Sequence, residues 1–301
     1  MKNMKCIIIY FSQSGNTKKM AYAIRTGIHP FVEQCDIGCL DKIDTKELAD
    51  YDLIGIGSPC WDGVPFHVER ILTDISPLPG KHAFTFCTHG VMGFRFLPNI
   101  VKLLTEKGMA VIGSRDWFCS VYHPLIPKPY LTDGHPDAID LKEAEEFGRK
   151  MVEISRRVSA GENELIPPIP PMPPPRTLSR PLISKFINME KCLYPECRLC
   201  VDNCRLRIIN LSVSPAIFPE KCPSCYFCEL ICPTGAIEAD YEIAANIEIE
   251  RAKTMFMKEL DKAETEGRFR RLTPVEAVGW DTPFYKVYTK HPRYIIPKDD
   301  E

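Results

Sequence analysis

Eight of the fourteen cysteines in this 301-residue chain lie between Cys192 and Cys232, in two runs. The second run, "CPSCYFCELICP", spaces Cys222, Cys225, Cys228 and Cys232 as C-x2-C-x2-C-x3-C, with Pro233 next. The first, "CLYPECRLCVDNC", spaces Cys192, Cys197, Cys200 and Cys204 as C-x4-C-x2-C-x3-C. Thiolates at such spacing hold soft metals, and C-x2-C pairs also make tetrahedral zinc sites. A third cysteine at the same spacing, a fourth at x3 and the proline instead match a [4Fe–4S] run, whose last cysteine ligates a neighbouring cluster. The opening C-x4-C-x2-C of the first run is how one kind of [2Fe–2S] site begins. That reading borrows a distant fourth ligand and leaves Cys204 without a role. Two [4Fe–4S] clusters use all eight: Cys192, Cys197, Cys200 and Cys232 for one, Cys222, Cys225, Cys228 and Cys204 for the other. This reading is preferred, with zinc and [2Fe–2S] as its alternatives. The x4 gap is then a two-residue insertion, its path helped by Pro195.

A second chemistry is suggested by three loops. "SQSGNT", Ser12 to Thr17, joins an apolar strand to a helix. Ser12, Ser14 and Thr17 offer hydroxyl donors, Gly15 backbone freedom, and the helix start free N–H groups and positive dipole, together a phosphate site. The alternative is an ordinary Ser/Asn helix cap. "SPCWDGVP" (58–65) presents Trp61 beside Asp62 and Gly63, and "THGVMG" (88–93) follows another strand. An aromatic on such a loop stacks on a flat ring, although a buried Trp is commoner. "GIGS" is not a dinucleotide fingerprint, because Cys60 stands at the third glycine position and the glycines fall within a strand. His89, Tyr122 and His123 are the candidate proton donors, against a structural role for each. Cys6, Cys87 and Cys119 read as small core residues; Cys35 and Cys39, spaced i,i+4 but strand-like, do not easily make a metal site; Cys60 alone lies in a loop of interest.

These residues need a scaffold. Through residue 160, apolar runs alternate with amphipathic segments, the pattern of an α/β parallel sheet wound with helices. Strands are predicted at 5–11, 35–39, 52–57, 82–87 and 110–117, and helices at 16–27, 65–75, 94–107 and 140–159. The loops then fall at the carboxyl ends of strands, where such sheets bind ligands. A net charge of −2 excludes the basic surplus of a nucleic-acid binder, and the apolar runs are too short to span a membrane. With no export signal visible, the cytoplasm is the expected compartment, which suits thiolates in use better than disulfides.

Together the three loops resemble the flavodoxin-like family, "SQSGNT" matching its [ST]-x-[ST]-G-N-T phosphate loop. The resemblance covers about residues 5–160. It implies FMN, with the phosphate on Ser12, Gln13, Ser14, Gly15, Asn16 and Thr17. The ring would lie between Pro59, Cys60, Trp61, Asp62 and Gly63 on one side and Thr88, His89, Gly90 and Gly93 on the other. Residues 188–241 resemble the bacterial two-cluster ferredoxins, including "CPTGAIE", but depart from them in the x4 gap and in Arg205 after Cys204. Arg198, Arg205 and Arg207 are candidates for offsetting cluster charge or docking an acidic partner, with plain solvated residues as the alternative.

The expected organisation is a flavodoxin-like doubly wound domain (1–160), a Pro-rich linker (161–187), a small α+β ferredoxin-like domain (188–241), and a helical and extended tail (242–301). In the tail, Ile243, Ile247, Met255 and Leu260 are expected on the apolar face of one long helix. The implied function is electron transfer between [4Fe–4S] clusters and FMN, and on to donor and acceptor proteins, within one chain or across a homodimer. The alternative is an FMN-dependent reductase of an activated alkene or quinone fed by its own clusters; a redox-sensing regulator is a third class.

Overall fold

The computed structural model describes residues 4–174, 183, 185–213, 216 and 222–296. They form two compact units. One comprises residues 1–120 with 134–175, the other residues 121–133 with 176–301.

The first unit is a five-stranded parallel sheet: β1 (Lys5–Tyr10), β2 (Gln34–Cys39), β3 (Leu53–Pro59), β4 (His82–His89) and β5 (Ala110–Phe118), in the order β2-β1-β3-β4-β5. The central strands are almost continuously apolar because helices cover both faces. Alternation along β1 sends Cys6, Ile8 and Tyr10 to one face and Ile7 and Ile9 to the other. On the first face lie α1 (Asn16–Ile28) and α4 (Ala138–Ser159), through Met20, Ile24, Phe147 and Met151. On the second lie α2 (Phe66–Asp74) and α3 (Phe96–Glu106), through Val68, Leu72, Ile100 and Leu104. Each element falls within two residues of its predicted place. The "GIG" of β3 has a packing cause: a Cβ on Gly57 would stand 2.1 Å from the Phe86 ring, and one on Gly55 2.3 Å from Phe84. Order 2-1-3-4-5 puts the topological switch point between β1 and β3, the edge where doubly wound sheets take ligands.

The second unit is built round a short antiparallel pair, β6 (Lys185–Ile187) with β7 (Ile237–Ala239), and two short helices, α5 (Leu199–Asp202) and α6 (Phe227–Ile231). Its first strand lies upstream of the expected start at 188. The expected long helix is interrupted: α7 (Glu242–Arg251) passes through a π-helical turn (Ala252–Phe256) into α8 (Met257–Thr265). Its buried face also differs. Ala244, Ala245, Ile249, Ala252 and Leu260 are inside, whereas Ile243 is 69% exposed and Ile247 37%. The rings of Tyr226 and Tyr241 fill the space against this helix, so alanines and not isoleucines fit there. The tail is held by pairing, with Phe284 N–H donating to Ile126 O (2.7 Å) and Tyr285 N–H to Pro124 O (3.1 Å). That pairing is why residues 121–133 belong to this unit and not, as the linear division expects, to the first. Of the proline run, Pro175 and much of the stretch after it lie outside the described residues; Leu165 and Ile166 pack on the first unit's core.

Candidate functional site

At the carboxyl edge of the first unit's sheet the three predicted loops are tied to one another. Gly15 takes the left-handed conformation (φ 86°) that turns the chain into α1, whose first turn has no acidic residue. Thr17 and Thr88 share a hydroxyl–hydroxyl hydrogen bond of 2.7 Å. Cys60 N–H donates to Thr88 O (2.9 Å) and its thiol to Gly93 O (3.3 Å), joining the second loop to the third. The Asn16 side-chain amide donates to Ser120 O (2.8 Å), bringing in the end of β5. Beyond Pro59, Trp61 N–H donates to Gly63 O (3.0 Å) across Asp62, which has φ 70°. Ser14 and Gly90 are half-buried in their loops.

Ser12 Oγ is buried and has no hydrogen-bond partner among the described residues. An orphaned hydroxyl in a loop that opens onto a helix N-terminus fits a phosphate acceptor, because a buried polar group without a partner is costly. Trp61 is half-buried, and its ring packs among Phe11, Phe66 and His67 at centroid distances of 5.9, 6.1 and 5.5 Å.

The three candidate proton donors fall in different units. His89 is in the first unit, its Nε2 2.8 Å from Asp116 Oδ2 and its Nδ1 buried without a partner. Tyr122 and His123 belong to the second. The Tyr122 ring packs on Phe284 and Tyr294, and His123 sits edge-on to Tyr226 at 4.5 Å while its Nδ1 accepts from Leu125 N–H. Sequence reasoning missed Asp116; its alternation with Trp117 along β5 is only a weak sign of an inward carboxylate. Cys6, Cys87 and Cys119 are core thiols, pushed above the ordinary range chiefly by burial.

In the second unit Cys192, Cys197, Cys200 and Cys232 line one small cavity, with Leu193 and Leu199 at its margin. Burial pushes the Cys200 thiol up to about 11, with Cys232 and Cys192 adding to the rise. Cys225 is likewise pushed up to about 11 by burial, and the thiols that add to it are Cys222 and Cys204. Each neighbourhood thus draws on both runs. The thiol of Cys232 accepts from Ala236 N–H (3.2 Å), and that of Cys222 from Lys185 Nζ (3.4 Å). Lys185, assigned by sequence to the linker, was missed; "KFI" mirrors the "IEA" strand it pairs with, and that is the signal available.

A single tetrahedral zinc, at about 2.3 Å from each sulfur, would draw sulfurs to within about 4 Å of one another. Among the described residues no three cysteine sulfurs lie within 4.8 Å of one another. Among the described residues the trio that does is His135, Asp137 and Asp140, and it is spent on structure: Asp137 and Asp140 form the capping box of α4, and His135 bonds Asp140 at 2.6 Å. A cubane spreads its thiolates over separate irons and does not need them to meet at a single ion.

The family described as "4Fe-4S binding domain" matches residues 215–238, which hold all of the second run. An uncharacterised ferredoxin of Methanocaldococcus jannaschii is 33% identical over 58 residues, 19% of this chain and 94% of that protein. A probable flavodoxin of Bacillus subtilis is 30% identical over 87 residues, 28% of this chain and 54% of its own. This chain is a flavodoxin-like domain fused to a ferredoxin. A further relative, an uncharacterised protein of M. jannaschii, is 32% identical over 159 residues, 50% of this chain and 99% of that one. The chain joins a doubly wound sheet to a [4Fe–4S]-binding domain that follows it in sequence, which makes electron transfer the class of activity. No described helix is long and apolar enough to cross a membrane.

Proposed function

We propose that this fusion carries electrons between two [4Fe–4S] clusters in its ferredoxin unit and FMN in its flavodoxin-like unit, and exchanges them with redox partner proteins. The observation that supports the reading is that Cys192, Cys197 and Cys200 line one small cavity with Cys232 of the second run, while Cys225 has Cys222 and, from the first run, Cys204 near it. In this reading Cys192, Cys197, Cys200 and Cys232 hold one cluster and Cys204, Cys222, Cys225 and Cys228 the other. When bound, the clusters supply one-electron chemistry and FMN the means to take one or two electrons. Residues 12–17 hold the phosphate through the free N–H groups at the start of α1 and the Ser12 hydroxyl. Bonds from Thr17 and Cys60 to the third loop keep the flavin loops at fixed separation, and Trp61 closes one side. Lys18 and Lys19, in the first turn of α1, add no charge that would repel an anion.

Analysis of protein purified without oxygen is expected to give one flavin with about eight irons and eight sulfides per chain. Zinc, or about two irons, would exclude the cluster assignment. The His89–Asp116 pair favours a second reading, direct reduction of a quinone or activated alkene with His89 positioned to deliver a proton. Turnover of such a compound without any protein partner, abolished in His89→Ala, distinguishes that reading from a carrier.

A further inference from the structure

Among the described residues, Lys185 is a cation that the ferredoxin unit buries with no carboxylate bonded to it. It opens β6, is 4% exposed, and among the described residues its contacts are the Cys222 sulfur at 3.4 Å and the Tyr226 ring, whose centroid is 4.2 Å away. A buried ammonium is costly unless an anion meets it. The anion offered here is sulfur, first at Cys222, with Cys225 and Cys228 also within reach of the charge.

The surroundings of the other four cysteines differ. Among the described residues no Lys or Arg side chain bonds to the sulfurs of Cys192, Cys197, Cys200 or Cys232. The cations nearest in sequence are neutralised: Lys191 by Glu238 at 2.6 Å and Arg198 by Asp202 at 3.6 Å. On the Lys185 side the neighbouring carboxylate, Glu229, is in turn neutralised by Arg293. Lys185 therefore brings a positive charge that faces Cys222, Cys225 and Cys228. Reduction of a cluster adds one negative charge, which a fixed cation in a poorly hydrated site favours.

We propose that Lys185 gives the centre held by Cys204, Cys222, Cys225 and Cys228 the higher reduction potential of the two. This rests on the two-cluster reading. The lower-potential centre then lies beside Leu193 and Leu199, which are 50% and 42% exposed, where a donor protein can approach. An electron arriving there runs downhill: the first centre is oxidised by one electron, the second is reduced by one, and no proton moves.

The test is a potentiometric titration of the full chain, followed by electron paramagnetic resonance, in wild type, Lys185→Met and Lys185→Arg. In Lys185→Met one centre is expected to become at least tenfold harder to reduce, about 59 mV for one electron, while the other is unmoved. Lys185→Arg should keep the wild-type order. The shift should persist in a Cys192→Ser background and vanish in Cys225→Ser. If Lys185→Met fails to hold iron, Lys185→Gln, which keeps a donor and removes the charge, is titrated in its place. Full iron content with both potentials unmoved overturns the role of Lys185 and leaves the two-cluster reading standing. A wild-type chain with only about four irons overturns both.

Discussion

Replacing Arg293 with alanine is expected to destabilise the ferredoxin unit by about 3–5 kcal/mol, the cost of leaving a buried charge without its partner. Glu229 lies on α6 next to Cys228 and is 2% exposed, and Arg293 of the tail pairs with it. The same guanidinium donates to Tyr288 O (2.5 Å) and Tyr285 O (3.2 Å), and the next residue's N–H bonds Leu230 O at 2.8 Å. One side chain therefore neutralises the carboxylate and fixes the fold of the segment that covers it. Denaturant unfolding of the holoprotein, followed through loss of cluster absorbance, gives the midpoint shift. Glu229→Gln combined with Arg293→Ala should recover part of the loss, because the stranded charge is gone. A loss below about 1 kcal/mol would mean that Glu229 finds water or another cation, as a surface pair does.

The second large effect concerns Cys232. It stands in the second run, yet it lines a cavity with three cysteines of the first and sits closest in effect to Cys200. Cys232→Ser should therefore remove the cluster of the first run and leave about four irons. Adding Cys192→Ser should cost no further iron, since both residues serve one centre. Adding Cys225→Ser should remove nearly all of it. If each run instead built its own cluster, the two double variants would exchange outcomes. Iron analysis of the three proteins is enough to decide, provided each retains its flavin as a check on folding.

Much of the fold was legible because it is local. Strand and helix limits in the first unit follow from hydrophobic period alone, and the loop proposed to hold the phosphate stands out by Ser12, Gly15 and Thr17 in sequence. The two cysteine runs stood out because ligand spacing is a property of the chain itself. What escaped depends on contacts distant in sequence. Nothing near Tyr122 says that its ring will meet Phe284 and Tyr294. Ile243 and Ile247 looked inward by period, but Tyr226 and Tyr241, which favour alanine at that surface, are chosen by packing and not by the helix itself. Lys185 looked like a linker residue because its strand is three residues long and its pairing partner, Ala239, lies beyond both cysteine runs.

Clusters and flavin are proposed to form one electron path. Rapid mixing of the oxygen-free full chain with a one-electron donor, watching flavin and cluster absorbance together, tests it most directly. Wild-type protein should lose cluster and flavin absorbance in succession within one mixing event. The Cys192→Ser/Cys225→Ser protein, with flavin bound and clusters gone, should reduce its flavin at least about tenfold more slowly. Equal rates in the two proteins would contradict the account, since the flavin would then take its electrons without the clusters.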